Sequence, residues 1–471
     1  MEPAMKSLLE FLSRQTGFRL SQDRDASLTV GVRRAMKQAG MTDVRSYLSH
    51  IKRDQAAFDD LMAEVTVGET YFYREPAQME AFRSTILPEI ASRKGVDHLI
   101  RIWSSGCSTG EEPWSLAMVC RNAGYADRCR ILATDISRES LLKAERGVYR
   151  QWSLRGPSRD LVGNLLHQTD DGWKIDDSLR KHVNFESLNL ALDSYPSLAT
   201  GTWGCDVIFC RNVLIYFDED STRAVVRRLF DSLSPGGWLI LASTDPNVTQ
   251  MAPFELVEAG SCLVYRRPVT PVPPAAAPEQ LPFLDEEWVF DEPESLPLES
   301  TILPSGNVVI QAAQEAFRLG DFGRVQELTE GRDNDPIASA LLIRSLAGQD
   351  TSESEQACAT AVERHPTVEE LNYLHSILLL DLERYRDAEQ AARKTLFLNR
   401  DLAIGHFTLG VILHRSGVSE GARRSFRNAL RICERLSPDA IIPLSDGEHA
   451  GRLIQMVNQH LAMLEPSGSS E

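Results

Sequence analysis

The sequence lacks the patterns that bind metals, form disulfide frameworks or attract nucleic acids. Its eight cysteines are scattered without a C-x-x-C spacing, so we expect reduced thiols in the core and no metal site. Acidic residues outnumber basic ones, 67 to 50, and a net charge of −17 is unfavourable for a protein that must neutralise phosphates. We therefore expect no nucleic-acid partner.

Long apolar segments are also missing. No run of about 18 apolar residues occurs, and the opening MEPAMKSLLEF contains no apolar signal core. We expect no direct insertion into a membrane and place the protein in the cytoplasm. The 471 residues are enough for about two to four domains, and 42% hydrophobic with 25% charged residues is typical of globular proteins.

A strand, a glycine-containing loop and a helix are predicted in succession over residues 99–115. Apolar side chains up to Trp103 predict a buried strand, the loop follows, and a helix begins at Glu111. Gly106 and Gly110 would let the loop backbone approach a ligand closely, beside free N–H groups at the start of the helix. The pattern predicts a nucleotide-like ligand, although acids in the first helical turn disfavour a pyrophosphate. A strand-to-helix turn without a ligand is the alternative.

Two further polar signals flank this unit. Residues 129–134 predict a second strand that ends in Asp135, 25 residues after Gly110, where βαβ units hold ribose hydroxyls. Before the unit, Thr70 and Arg74 stand four positions apart in a segment crowded with aromatic residues. Their position suggests more than a surface role.

The later strands complete the predicted α/β domain. Residues 205–217 contain a buried strand that ends in the polar pair Arg211 and Asn212, and residues 233–242 predict a helix end, a Pro-Gly-Gly turn and another buried strand. A turn-rich insertion with a hairpin is predicted at about 149–188. Alternating strands and helices indicate a doubly wound sheet.

The domain organisation follows from changes in composition. We predict a helical N-terminal domain, the sheet domain, an acidic proline-rich linker and an all-α repeat domain, at residues 1–75, 76–267, 268–306 and 307–465. The linker has nine prolines and eight acids from 268 to 304 and no Lys or Arg, so it cannot form a packed core. On this basis, we expect removal of the repeats to change partner binding and to leave the chemistry and ligand affinity of residues 1–268 intact.

The C-terminal helices repeat. Two helical segments superpose with Ala388 on Ala422, an offset of 34 (422 − 388), which is the tetratricopeptide (TPR) period. Weaker helix pairs begin near residues 312 and 338. The small and aromatic packing positions of such a repeat are occupied by Gly410, Ala422, Phe426 and Ala429. A helical domain without repeats is the alternative.

Five motifs in this order resemble CheR-type chemotaxis receptor methyltransferases. They are Thr70-x-x-x-Arg74, SGCSTGEEPWS (105–115), ATDI (133–136), SLNL (187–190) and FCRNVLIYF (209–217). The resemblance covers about residues 5–267. It implies a class I methyltransferase sheet domain in a protein-glutamate O-methyltransferase that uses S-adenosyl-L-methionine, releases S-adenosyl-L-homocysteine, and esterifies glutamates on the cytoplasmic helices of chemoreceptors.

The resemblance also implies the site residues. Those that would bind the cofactor are Thr70, Arg74, Gly106, Ser108, Glu112, Asp135, Asn189, Leu190, Arg211 and Asn212. The catalytic residues nearest the methyl-transfer centre would be Arg74 and Tyr216. One departure is Gly68, at a position where the family commonly has Asn, which removes one polar contact with the cofactor.

The chemistry agrees with these residue types. A glutamate carboxylate with a pKa near 4.3 is ionised at pH 7 and needs no general base. It needs desolvation and alignment with the methyl group, and an Arg or Tyr side chain can hold one carboxylate oxygen while the other reacts. The repeats would recruit a protein partner or regulate the enzyme.

Two other classes of function are weaker. A catalytically weak adaptor or scaffold would act through the TPR domain, but the intact set of Thr70, Arg74, Asp135, Arg211 and Asn212 argues against it. A nicotinamide-dependent oxidoreductase is disfavoured because the glycine loop is not G-x-G-x-x-G.

Overall fold

The computed structural model describes residues 2–20, 22–66, 69–155, 162–269, 306–318 and 320–464. Gly68 and nearly all of the predicted acidic linker lie outside the described residues. No helix in the described ranges is long and apolar enough to cross a membrane. The eight cysteines all fall within these ranges, and seven of them are buried as free thiols.

The N-terminal part consists of helices that share one aliphatic core. The helices are α1 Pro3–Thr16, α2 Gln22–Gln38, α3 Val44–Ile51 and α4 Gln55–Val65. Asp43 and Asp54 cap α3 and α4 by accepting backbone N–H groups of the first turn, which satisfies donors that a helix start leaves free. Leu12 and Leu61 are fully buried in the shared core. After α1, Phe18 bridges to Phe217, so this part lies against the sheet domain.

The described residues form ten strands in two sheets. They are β1 Ile100–Ser105, β2 Cys129–Asp135, β3 Val148–Tyr149, β4 Leu166–Thr169, β5 Gly172–Ile175, β6 Val183–Ser187, β7 Cys205–Phe209, β8 Leu233–Ile240, β9 Glu255–Ala259 and β10 Cys262–Arg266. The main sheet has the order β6-β2-β1-β7-β8-β10-β9, in which β6 to β8 are parallel and β10 and β9 are antiparallel. All five residues of β7 are buried, as a central parallel strand requires.

Helices cover both faces of the main sheet and confirm the doubly wound α/β class. They are α5 Pro76–Ala81, α6 Leu87–Lys94, α7 Glu111–Asn122, α8 Arg138–Arg146, α9 Asp177–Arg180 and α10 Glu219–Ser232, with a π-helical turn, Phe82–Ile86, joining α5 to α6. The strand and helix predicted within 99–115 are observed as β1 and α7. Gly106, with φ of 76°, permits the tight turn after β1, because a Cβ there would lie 2.4 Å from Val213.

Two predicted boundaries need correction. The insertion predicted at about 149–188 is a small sheet of order β3-β5-β4 over residues 148–175, whereas β6 pairs in parallel with β2 in the main sheet. The five residues of β6, VNFES, lie within the stretch predicted as the insertion, and their place in the main sheet depends on pairing with β2, which is distant in sequence. The Pro-Gly-Gly turn predicted within 233–242 lies inside β8, which begins at Leu233 and pairs with β7 through an irregular register.

The C-terminal helices form hairpins with the predicted period. They are α11 Gly306–Arg318, α12 Phe322–Thr329, α13 Pro336–Ala347, α14 Thr351–Arg364, α15 Glu369–Asp381, α16 Tyr385–Leu398, α17 Ala403–Arg415, α18 Ser419–Cys433 and α19 Ala450–Leu464. The starts of α15 and α17 are 34 residues apart (403 − 369), as are those of α16 and α18 (419 − 385). A Cβ at Gly410 would lie 2.5 Å from the Phe426 ring, which explains the small residue there. This confirms a TPR-like architecture.

The repeat helices pack directly on the sheet domain. Leu198, from the connection between β6 and β7, is buried in the same apolar cluster as the repeat helices. Trp203 of that connection stacks on Phe317, with ring centroids 5.2 Å apart, and Arg130 of β2 pairs with Glu383 at 2.6 Å. A cleft of about 1000 Å³ remains between the sheet edge and the repeats, and none of the predicted site residues lines it. The repeat helices are therefore packed against the sheet domain and not joined to it by the linker alone.

Candidate functional site

The candidate site lies at the carboxyl ends of the parallel strands, where the chain changes direction in the sheet. From β1 the chain adds β2 and β6 on one side, and β7 and β8 then follow on the other side. In open α/β sheets ligands bind in the crevice at such a switch point. The loops after β1, β2, β6 and β7 converge there, and they contain four of the five motifs identified in the sequence.

A cavity at this point brings together many of the predicted residues. The predicted residues that line it are Gly106, Ser108, Asp135, Asn189, Leu190, Asn212 and Tyr216. Among the described residues, those of the predicted set that do not line it are Thr70, Arg74, Glu112 and Arg211. The cavity holds about 100 Å³, less than a typical ligand pocket of about 300 Å³ or more. A nucleoside-sized ligand therefore requires lining side chains to move outward.

The sequence analysis missed a second group of lining residues. They are Thr16, Phe18, Thr66, Ile136, Ser140, Leu188, Val213 and Phe217. Ile136, Leu188, Val213 and Phe217 fall within the recognised motifs and could have been found there. Thr16, Phe18 and Thr66 lie at or just after the ends of α1 and α4 and carry no local signal, because their role arises from packing between distant segments.

Asp135 is held in one orientation by backbone donors. Its two carboxylate oxygens accept the N–H groups of Ser108 and Ser137, each at 2.8 Å. Burial raises the pKa of Asp135, and the backbone hydrogen bonds to Ser137 and Ser108 oppose that rise. The result is a half-buried, oriented acceptor at the end of β2, suited to a hydroxyl donor such as that of a ribose.

Unpaired polar atoms mark where a ligand would bind. Ser108 Oγ and Asn212 Oδ1 are buried without a hydrogen-bond partner among the described residues. The rest of Asn212 is engaged, since its backbone N–H donates to Asp245 at 2.7 Å and its Nδ2 donates to Thr244 at 2.9 Å. A buried unpaired polar atom is unfavourable. These two atoms, together with Asp135, fit a ligand that carries hydroxyl and amino groups.

The backbone is strained around the same site. Tyr73, Glu75, Ser108 and Asn212 have φ values of 55°, 56°, 50° and 60°, in the left-handed region that non-glycine residues rarely adopt. Such strain persists only when the surrounding structure enforces it, and it clusters at functional sites. Two of these residues line the cavity, and the other two flank Arg74.

Glu112 and Arg211 bind each other beside the cavity. Arg211 Nε lies 2.6 Å from Glu112 Oε2, and the other Glu112 oxygen accepts the Ser104 hydroxyl at 2.6 Å. Arg211 also donates to the backbone carbonyl of Arg74 at 2.6 Å. In this arrangement the pair secures the segment that carries Arg74. A direct role of Glu112 and Arg211 in cofactor binding stays a prediction.

The two predicted catalytic residues occupy different positions. Tyr216 lines the cavity, and its ring centroid lies 6.4 Å from that of Phe18. Arg74 is half-buried outside the lining and donates to the carbonyl of Glu69 at 2.7 Å. Thr70 is half-buried in the same segment. Arg74 would have to turn from this contact to meet a substrate.

Asn189 lines the cavity, but its polar groups bind other parts of the protein. Its backbone N–H donates to Asp193 at 2.6 Å, and its side chain donates to the carbonyl of Gln15 at 2.7 Å and accepts the N–H of Ala191 at 3.0 Å. Its contribution to the cavity is therefore mainly the shape of the loop that it stabilises.

Cys107 in the glycine loop is not an activated nucleophile. Burial raises the pKa of its thiol well above the usual value, and the nearby acids Asp135 and Glu112 raise it further. A thiol with a raised pKa carries little thiolate and reacts slowly. The site therefore favours binding and alignment over covalent catalysis.

Comparison with known proteins assigns the family. Residues 3–66 match the model of the CheR methyltransferase all-alpha domain, and residues 68–261 match that of the CheR methyltransferase SAM binding domain. Chemotaxis protein methyltransferase 1 of Pseudomonas aeruginosa is 30% identical over 265 residues, which cover 54% of this chain and 94% of that protein.

One relative aligns with the repeats as well as the methyltransferase domains, and a solved structure shows a partial likeness. The probable biofilm formation methyltransferase WspC of Pseudomonas putida is 31% identical over 412 residues, covering 85% of this chain and 92% of that protein. A crystal structure of MamA aligns over 28% of this chain and 80% of its own length, with 12% identity and a TM-score of 0.26. Because both CheR domain models match in order and a relative aligns over 94% of its length, this chain belongs to the CheR methyltransferase family and is an S-adenosylmethionine-dependent protein methyltransferase.

Proposed function

We propose that this chain methylates glutamate side chains on the cytoplasmic helices of chemoreceptors, and that it works in the cytoplasm where those helices lie. Family membership supports the reaction class. The observation that carries the proposal is the cavity at the switch point, where the oriented carboxylate of Asp135 meets the unpaired atoms of Ser108 and Asn212.

Cavity residues would hold S-adenosyl-L-methionine and, after reaction, S-adenosyl-L-homocysteine. Asp135 would accept the ribose hydroxyls, while Ser108 and Asn212 would bind polar groups of the nucleoside or the amino acid part. Gly106 would allow close backbone approach, and Leu190 would pack on apolar atoms. When bound, S-adenosyl-L-methionine would supply a methyl group that is activated by the positive charge on its sulfonium.

Thr70, Arg74, Glu112 and Arg211 would act from beside the cavity. The ion pair between Arg211 and Glu112 would hold the Arg74 segment at the cavity wall. Thr70 lies on the same segment and would contact the cofactor once that segment closes. We therefore assign these four residues to movement of the Arg74 segment towards the cofactor as well as to direct binding.

The substrate carboxylate needs alignment rather than deprotonation. A glutamate with a pKa near 4.3 is already an anion at pH 7. Arg74 would attract it by charge, and the Tyr216 hydroxyl would donate a hydrogen bond to one oxygen, leaving the other free to attack. Neither step needs a proton to leave the substrate.

The test is transfer of labelled methyl groups from S-adenosylmethionine to receptor-containing membranes, with release of the label by base as the mark of a carboxyl ester. We expect base-labile label with the wild-type chain and strongly reduced label with Asp135→Ala. Label that is stable to base, or absent with every receptor tried, would contradict the proposal. The second outcome would favour an adaptor that acts through the repeat helices.

A pathway that controls surface attachment is a second candidate for the signalling process that this chain serves, and one observation favours it. The match with the biofilm methyltransferase runs through the repeat region, whereas the match with the P. aeruginosa chemotaxis enzyme covers 54% of this chain. We propose that the repeats bind a protein partner in a receptor pathway for surface attachment. Deleting the gene in its host should then alter biofilm formation and leave swimming unchanged, whereas loss of directed swimming would assign the chain to chemotaxis.

A further inference from the structure

We infer that Arg452 and Gln459, on the last repeat helix α19, are positioning residues for the candidate cofactor site. They hold the segment 187–193, which follows β6 and lines the cavity through Leu188, Asn189 and Leu190. The identity of the ligand rests on the proposed function. The mechanical link between α19 and the cavity rests on the contacts described below.

Side chains of α19 bind both ends of the segment. The backbone N–H of Ser187 donates to Gln459 Oε1 at 2.9 Å, and the carbonyl of Ser187 accepts from Arg452 Nη2. At the other end, Arg452 Nε lies 2.8 Å from Asp193 Oδ2, in an ion pair that lacks the alignment of a hydrogen bond. These side chains are nearly inaccessible to solvent, with exposed fractions of 7% for Arg452 and 11% for Asp193. Little of their charge is therefore screened by water.

One further hydrogen bond connects these α19 contacts to the cavity. The Asp193 oxygen that faces Arg452 also accepts the backbone N–H of Asn189 at 2.6 Å. The neighbouring N–H of Leu188 donates to the carbonyl of Asp135 at 3.1 Å. A shift of Ser187 or Asp193 would therefore displace the two residues that lie against the predicted ribose acceptor.

The sheet domain holds the segment only in part. Arg228 of α10 donates to the carbonyls of Leu190 and Asp193, each at 2.7 Å. No contact from Arg228 to Ser187 is observed, so the start of the segment relies on β6 pairing and on α19. Loss of the α19 contacts should therefore loosen the cavity wall without unfolding it.

The loop that leads into α19 is bound to the same connection. Downstream of the segment, the hydroxyl of Ser194 donates to the carbonyl of Gly447, and the N–H of Leu198 donates to Asp446, at 3.0 and 3.3 Å. The side chain of Leu198 is buried among the repeat helices. The connection between β6 and β7 therefore lies against the repeats on one side and forms the cavity wall on the other. A protein bound to the repeats could change cofactor affinity by moving α19.

The test compares full-length variants by calorimetric titration with S-adenosylhomocysteine. We expect Arg452→Met to weaken binding by about tenfold, within the usual range of coupling between sites, and Arg452→Lys to recover part of the loss by retaining the charge opposite Asp193. Gln459→Leu is a second variant that leaves the ion pair intact. Asp381→Asn is the matched control, because it breaks the ion pair with Arg101 at the same interface and does not touch the segment.

Two readouts separate positioning from a loss of stability. With S-adenosylmethionine varied, KM should rise for Arg452→Met while kcat at saturation stays within about twofold of wild type. Without any ligand, hydrogen exchange at the amides of Leu188 and Asn189 should become faster in this variant and not in Asp381→Asn. The exchange result tests the inference even if the wild-type chain binds no S-adenosylhomocysteine, an outcome that would reject the proposed function alone. Unchanged exchange in both Arg452→Met and Gln459→Leu, or equal weakening by Asp381→Asn, would overturn the inference.

Discussion

Arg211, just after β7, and Glu112, in the first turn of α7, form an ion pair of 2.6 Å, with side chains only 2% and 12% exposed. The pair spans the switch point of the sheet and connects it to Arg74 through the backbone carbonyl of that residue. Arg211 and Glu112, which the family resemblance assigns to cofactor binding, thus also join the sheet domain to the segment around Arg74. We therefore expect a substitution at either one to affect stability as well as binding.

Arg211→Met should destabilise the protein by about 3–5 kcal/mol, because it leaves the Glu112 carboxylate buried without its cation. Urea unfolding measures the change. The control is Arg223→Met, which removes an exposed pair with Glu219 and should cost less than about 1 kcal/mol. Equal unfolding midpoints for the two variants would show that the buried pair contributes nothing to stability.

Asp135→Ala should weaken S-adenosylhomocysteine binding by about 1–3 kcal/mol, since the ligand hydroxyls would lose a half-buried acceptor that becomes enclosed on binding. Calorimetry on the folded variant gives the affinity. Asp127→Ala serves as the control, because Asp127 precedes the same strand, is 87% exposed and pairs with Lys181. The assignment fails if the affinity of Asp135→Ala equals that of the control.

Arg74→Ala and Tyr216→Phe should lower turnover more than cofactor affinity, because both residues are assigned to alignment of the substrate carboxylate. A loss of about 100-fold in single-turnover rate at saturating cofactor is the scale expected from misalignment. Arg83→Ala removes an exposed pair with Glu80 and should leave the rate unchanged. Rates equal to wild type in both variants would remove Arg74 and Tyr216 from the transfer step.

Local patterns predicted the strand, loop and helix around residues 99–115 because each depends on neighbours in sequence. β1 and α7 follow from an apolar run, small residues and a helix start. The 34-residue period likewise predicted the hairpins α15/α16 and α17/α18. In both cases the signal lies within the element that it predicts.

Contacts between distant segments could not be predicted in this way. Phe18 reaches the cavity only because α1 lies against the sheet domain, and Arg452 reaches Ser187 across 265 positions of the chain. The acidic linker suggested an independent repeat region, yet the apolar side chain of Leu198 is buried among the repeat helices. Such packing depends on the complementary shapes of folded surfaces, which no local pattern encodes.

Glu448 should make the stability of the protein depend on pH. Its side chain is 1% exposed and has no hydrogen-bond partner for either oxygen among the described residues. Burial is the main cause that raises its pKa to about 8; Arg452 opposes this rise, whereas Asp193 and Asp446 contribute to it. Between the ordinary value of 4.5 and about 8, the folded protein keeps a proton that the unfolded chain releases.

Stability contributed by the Glu448 proton is therefore full at low pH and declines as pH rises through this window, by up to about 1.4 kcal/mol per pH unit. Glu448→Gln cannot ionise, so its free energy of unfolding should increase relative to wild type from pH 5 to pH 8 and then level off. Urea unfolding at successive pH values measures the difference. Glu434→Gln, at an exposed position nearby, is the control and should follow the wild-type curve. Parallel curves for wild type and Glu448→Gln would mean that Glu448 is ionised in the folded protein at neutral pH, with Arg452 compensating its charge.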